Sequence, residues 1–190
     1  MREEVSDDDL MRLYAGGERE AFDALFDRHH ASVYHFARTM LGAEAPAEEV
    51  LQETFLAVAR AAGNYRTRGR FRAWLMRICR NRCLNRLQAR RARRAALGPD
   101  GAAAEAVAAD DPGPPERLDG DERTERVRAA VDALPERQRE AVTLRAFDGM
   151  SYREIAETLE MPVNTVKTLL HRARAALARA LAGPDGEVRS

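Results

Sequence analysis

Twelve arginines and no acid lie between Tyr65 and Ala95: Arg66, Arg68, Arg70, Arg72, Arg77, Arg80, Arg82, Arg86, Arg90, Arg91, Arg93 and Arg94. The whole chain balances 31 Lys and Arg against 31 Asp and Glu, so this block is a local positive field in a neutral protein. Guanidinium groups packed this densely repel one another unless an anion answers them, and a nucleic-acid backbone is the usual answer. Phe71, Trp74, Leu75 and Ile78 interleave with the arginines, which marks a folded helix rather than a basic tail. At 100° per residue Phe71, Leu75 and Ile78 share one side, while Trp74, Arg77 and Asn81 form an adjoining row at i, i+3 and i+7. One side is expected to pack and the adjoining row to face outward.

A second acid-free stretch separates Glu160 from Asp185. Ser151 and Glu154 have the spacing of a capping box, in which the serine caps a helix and the glutamate reaches back. Ile155, Ala156 and Leu159 then point inward, and Ala156 is small where a following helix must cross closely. Glu160, Met161 and Pro162 form a three-residue break. The next helix carries Val166, Leu170, Ala173, Leu177 and Leu181 as its expected buried stripe, with Asn164, Thr168, His171, Arg172 and Arg179 opposite. This is helix-turn-helix geometry, and Asn, Thr, His and Arg are side chains that hydrogen-bond base edges or phosphates in a major groove.

The surrounding elements read as all-α. Long Ala/Leu/Arg/Glu stretches lack the alternation of strands. Ser6 with Asp7, Asp8 and Asp9 starts a short helix that Gly16-Gly17 ends. Phe22, Leu25, Phe26, Val33, Ala37 and Met40 stripe a long helix that Gly42 stops. Pro46 opens the next, with Leu51, Phe55, Val58 and Ala62 inward, and Gly63-Asn64 closes it. Val127, Val131 and Leu134 stripe a helix in the second half, and Pro135 starts another that runs to Asp148-Gly149.

Between the halves the composition shifts to Gly, Pro, Ala and acids, which have neither periodicity nor bulk to pack. The expected organisation is a helical domain over 1–95, a flexible acidic linker over 96–122, a helix-turn-helix domain over 123–182 and a disordered tail over 183–190. The acidic linker serves either as a plain tether or as a strip that lies in the basic face when nucleic acid is absent. Two nucleic-acid surfaces on one tether raise affinity through effective concentration.

Other chemistries find little support. Cys79 and Cys83 are either core-flank thiols or a redox or metal pair, and no zinc set of four ligands stands near them. Ser6, Ser32, Tyr14 and Tyr34 have no convincing partnered base, which argues against a recombinase, and His29-His30 reads as the edge of a helix face. No apolar run reaches membrane-spanning length, so no membrane insertion is expected. The start Met1-Arg2-Glu3-Glu4 is acidic rather than basic-then-apolar, so no signal peptide is expected and the expected address is cytoplasmic.

Four motifs in order and spacing then carry a resemblance: Ala47–Leu56 (AEEVLQETFL) with Phe71–Arg82 (FRAWLMRICRNR), Leu134–Glu140 (LPERQRE), Met150–Ala156 (MSYREIA), and Pro162–Thr168 (PVNTVKT) with His171–Arg174 (HRAR). Over about residues 18–94 and 124–181 the chain resembles bacterial RNA polymerase sigma factors of the extracytoplasmic-function type. The resemblance implies a promoter-specificity subunit, not an enzyme, that works without a cofactor. Its partners would be RNA polymerase core, through the clamp and flap, promoter DNA, and an anti-sigma factor. Glu49, Gln52 and Glu53 would contact the clamp. Arg70, Trp74, Arg77, Arg80, Asn81, Arg90, Arg91 and Arg94 would bind the minus-10 region, aided by the loop before the helix. Trp74 would serve there either by packing behind the DNA face or by stacking. Asn164, Thr165, Lys167, Thr168, His171 and Arg172 would bind the minus-35 region. Glu160 replaces the glycine common in helix-turn-helix turns, which implies backbone strain of about 1 kcal/mol or a different turn. A stand-alone regulator that works without polymerase is the rival reading, and it would want a dimer helix that the sequence does not display.

Overall fold

The structure is a computed structural model that describes residues 5–66, 69–109 and 122–182, with the side chains of 98–109 and 122 left out. Among the described residues it is helical throughout, with no strand, and it falls into two compact units, Met1–Gly113 and Pro114–Ser190.

The first unit contains α1 (Asp7–Ala15), α2 (Arg19–Leu41), α3 (Glu44–Ala61), a 3-10 turn (Ala62–Asn64) and α4 (Phe71–Ala109). Ser6 caps α1 by accepting from the Asp9 N–H at 3.2 Å. Gly16 forms the other cap, and Gly17 follows at a φ of 105° that few side chains tolerate. Gly42 stops α2 in the left-handed region, as its position implies.

The core lies where α2, α3 and α4 face one another. Leu25, Val33, Phe36, Ala37 and Met40 come from α2, Val50, Phe55 and Val58 from α3, and Phe71, Leu75, Met76, Cys79 and Cys83 from α4. Burying each large apolar side chain contributes about 1.5–3 kcal/mol. Phe22 and Phe26 are only half-buried and close the rim edge-on against Phe55, at 6.1 and 4.8 Å.

Three expectations about the bounds of α3 and α4 and the face of α3 change. α3 begins at Glu44, so Pro46 sits inside its first turn, where a missing N–H costs nothing. Its buried face is Ala47, Val50, Thr54, Phe55 and Val58, with Ala62 buried in the 3-10 turn that follows, while Leu51 is half-buried. α4 runs on to Ala109, so residues 96–109, expected as linker, are helical. Their alanines, the best helix formers, offset the cost of Gly98, Pro99 and Gly101. The remainder of the expected linker, 110–121, and the tail from 183 lie outside the described residues.

Cys79 and Cys83 are free and buried, and the Cys79 thiol donates to the Val33 carbonyl at 3.7 Å. His29 is a core side chain rather than a face edge: it is buried and meets Asp7 at 2.9 Å.

The second unit contains α5 (Glu122–Asp132), α6 (Glu136–Ala146), α7 (Tyr152–Leu159) and α8 (Val163–Leu181). Val131, Leu134, Ala141, Leu144, Met150, Ile155, Leu159, Val166, Leu170 and Ala173 make its core. The expected α8 stripe stops early: Leu177 is half-buried and Leu181 exposed. The apolar period continues there past the end of the helices that cover it. Glu140 is buried in this core and receives Arg137 at 3.3 Å.

Asp7 ties α1 to α2 through Arg28 at 2.5 Å and His29 at 2.9 Å. Burial alone would raise its carboxyl, but hydrogen bonds and charge from His29 and Arg28 hold it below the ordinary aspartate value of 3.8. A lowered folded value means that the stabilisation is fully present above pH 3.8 and is lost as pH falls through the folded value. Asp7→Asn is therefore expected to lower the stability of the first unit by about 1 kcal/mol at neutral pH. The gap should shrink on the acid side of 3.8. Urea titration followed by Trp74, the sole tryptophan, reads it.

Candidate nucleic-acid interface

The start of α4 is built on aromatic rings. Phe71 is buried, and its ring lies 5.4 Å from His29, 5.8 Å from Trp74 and 6.0 Å from Tyr65. Trp74 and Tyr65, both half-buried, stand 5.0 Å apart. Trp74 thus packs on Tyr65 and Phe71 and still keeps part of its surface open. The carbonyl of Arg70 accepts the first helical bond of α4, from the Trp74 N–H at 3.0 Å.

Along the outer row Arg70 and Asn81 are exposed and Arg77 is half-buried. Farther on, Arg91 is exposed, while Arg90 and Arg94 are half-buried. Arg80 does not join them. It is only 4% exposed, because Met76, Cys79, Arg80 and Cys83 fall at i, i+3, i+4 and i+7 and form one buried stripe. The resemblance implied that Arg80 meets DNA; its helical phase places it inside.

Two further arginines are answered within the chain. Glu53 receives Arg82 at 2.9 Å and Arg86 at 2.7 Å, and Glu49 receives Arg86 at 2.5 Å. The Arg86 guanidinium loses some solvation, yet its bonds to Glu49 and Glu53 outweigh that loss and raise its pKa above the ordinary arginine value. Glu49 and Gln52 are exposed and Glu53 is half-buried, so the three share the outward side of α3. The exposed Leu56 completes that row one turn on.

Asp8 and Tyr65 stand out only in the structure. The Tyr65 hydroxyl donates to Asp8 at 2.6 Å, and the Gly69 N–H donates to the other oxygen of the same carboxylate. A contact across 57 residues of sequence leaves no local pattern to read.

In the second unit the capping box is complete: the Glu154 N–H donates to Ser151 Oγ at 3.3 Å, and the Ser151 N–H to Glu154 at 2.7 Å. Glu160 ends α7 in the left-handed region, at φ 54° and ψ 49°, and its N–H bonds the Ala156 carbonyl. Of the two turn geometries open to it, this is the strained one. Pro162 caps α8, one position before its first residue. Arg145 steadies the approach to α7: it donates to the Met150 carbonyl at 2.8 Å and lies 5.4 Å from the Tyr152 ring centre.

Along α8 Val166, Leu170 and Ala173 are buried. Asn164, Thr165, Lys167, Thr168, His171 and Arg172 are all exposed on one helix. The Thr168 hydroxyl bonds back to the Asn164 carbonyl at 3.0 Å, which fixes its rotamer. The outer face is therefore polar and basic, with a rigid inner side.

One helical unit opens its charged helix with aromatics and the other ends in a helix-turn-helix, the architecture of an all-α DNA-binding protein. Residues 25–94 match Sigma-70 region 2, and residues 124–177 match Sigma-70, region 4. The chain is 36% identical over 180 residues to "ECF RNA polymerase sigma factor SigM" of Mycobacterium tuberculosis H37Rv, spanning 95% of this chain and 87% of that one. It is 33% identical over 183 residues to "ECF RNA polymerase sigma-E factor" of Escherichia coli K12, spanning 93% and 95%. Among solved structures it is similar to CnrH in complex with the cytosolic domain of CnrY, with a TM-score of 0.70 and 29% identity over 94% of this chain and 98% of that one. The chain belongs to the extracytoplasmic-function sigma factors, the promoter-specificity subunits that bind RNA polymerase core and promoter DNA. No helix among the described residues is long and apolar enough to cross a membrane.

Replacing Glu160 with Gly relieves the left-handed cost and should stabilise the second unit by about 1 kcal/mol. Slower hydrogen exchange of the α8 amides in the full chain is the expected reading; faster exchange would mean that the glutamate side chain compensates its own strain.

Proposed function

We propose that the two units divide promoter recognition between them. α8 reads the minus-35 element as duplex through Asn164, Thr165, Lys167, Thr168, His171 and Arg172. The observation that carries this is the α8 face itself: six exposed polar side chains over a buried Val166–Leu170–Ala173 stripe, with no acid from 161 to 184. α4 and the segment leading into it bind the minus-10 element and open it. Arg70, Trp74, Arg77 and Asn81 meet the melted strand, and Arg90, Arg91 and Arg94 hold phosphates. Opening costs a few kcal/mol for each extruded base, and stacking and phosphate contacts repay it without covalent chemistry or a cofactor.

Glu49, Gln52 and Glu53 dock on the polymerase clamp, and the helix-turn-helix unit meets the flap. Because Glu49 and Glu53 already hold Arg82 and Arg86, docking shares these carboxylates rather than meeting bare charge. CnrH, to which the chain is similar, was solved in complex with the cytosolic domain of CnrY; by the same likeness this chain takes a protein partner besides polymerase, and we propose that it is an anti-sigma factor. The protein works in the cytoplasm, where polymerase is.

The division is testable with two substitutions. Arg172→Ala should weaken binding to upstream duplex by about tenfold, the scale of one good base contact, with core affinity unchanged. Asn81→Ala should lower permanganate reactivity of the opened strand while recruitment persists. Loss of core binding in either variant would contradict the division.

A further inference from the structure

We infer that Asp8 is a positioning residue for strand recognition, holding Tyr65 beside Trp74 at the mouth of α4. This rests on the proposed role of α4 as the strand-binding helix.

One carboxylate spans the approach to α4. Its Oδ1 accepts from the Tyr65 hydroxyl at 2.6 Å, and its Oδ2 accepts from the Gly69 N–H. Hydrogen bonds to an ionised acceptor are about twice as strong as neutral ones. Gly69 has φ +68°, a conformation that a Cβ would strain, and this turn delivers its N–H to Asp8. Tyr65 is thereby held at both ends: its hydroxyl on Asp8, its ring 5.0 Å from Trp74 and 6.0 Å from Phe71. Four residues on, Gly69 is fixed by the other oxygen.

The support under Asp8 is itself rigid. Ser6 caps α1, Leu10 and Met11 are buried, and the neighbouring Asp7 is bonded to Arg28 and His29 of α2. Asp8 is therefore a bracket between α1 and the mouth of α4 rather than one more acid at a helix start.

Charge separates this role from a trivial one. A carboxylate beside a surface that binds a polyanion opposes binding, so electrostatics alone predicts that removing Asp8 tightens DNA. A bracket predicts the opposite for base selectivity, because an unbraced Tyr65 no longer presents a fixed platform next to Trp74.

The test uses the full chain bound to RNA polymerase core and a fluorescein-labelled pool of single-stranded 12-mers with randomised positions. Anisotropy reads total binding, sequencing of bound strands reads base enrichment, and circular dichroism confirms the fold of each variant. The wild type is expected to enrich particular bases. Asp8→Ala and Tyr65→Phe should each lower that enrichment by about tenfold, the double variant no further than either single one, with total binding by Asp8→Ala equal or tighter. Should Asp8→Ala not fold, Tyr65→Phe decides alone, because it keeps the ring and removes only the hydroxyl. Undiminished enrichment in the folded variants would overturn the bracket and leave α4 as the strand reader. A wild type that enriches no base would overturn the reading of α4 and this inference with it.

Discussion

The first unit depends on holding a row of guanidinium groups along one helix against their mutual repulsion. α4 manages this by dividing its circumference. Phe71, Leu75, Met76, Cys79 and Cys83 anchor one side in the core. On another side Arg82 and Arg86 lean onto Glu53 and Glu49 of α3. Such part-exposed pairs are individually modest in energy, but they fix which arginines point to α3. The positive field is thus sorted by helical phase.

The second unit meets a milder version of the constraint. α8 spaces Lys167, His171 and Arg172 among Asn and Thr, and it is locked from behind by Val166, Leu170 and Ala173. Its entry angle is set by a complete capping box on α7 and a left-handed Glu160. A recognition helix gains selectivity only when its side chains start from fixed positions, and these local devices supply that. On the proposed division, charge provides attraction without choice in both units, and the aromatic cluster under Trp74 and the braced start of α8 would provide the geometry that choosing requires.

Much of this was legible in the sequence because it is written locally. The Ser6 and Ser151 caps, the Gly42 stop and the Val166–Leu170–Ala173 stripe each need only a few neighbouring residues. The burial of Arg80 was legible too, in its i+4 relation to Met76, although the resemblance implied a place at the DNA. α4 outran its expected end because a run of alanines overrides a Gly-Pro pair. The links between Glu53 and Arg82, and between Asp8 and Tyr65, join residues 29 and 57 apart, and no pattern along one helix encodes them. Those long-range carboxylates shape the interface proposed for this unit.

Run-off transcription with purified RNA polymerase core on genomic fragments, with and without the protein, tests the central claim most directly. The account predicts new transcripts with discrete start sites only when the protein is present, preceded at a constant spacing by two shared sequence elements. Failure of the protein to associate with core, together with an unchanged transcript pattern, would contradict it.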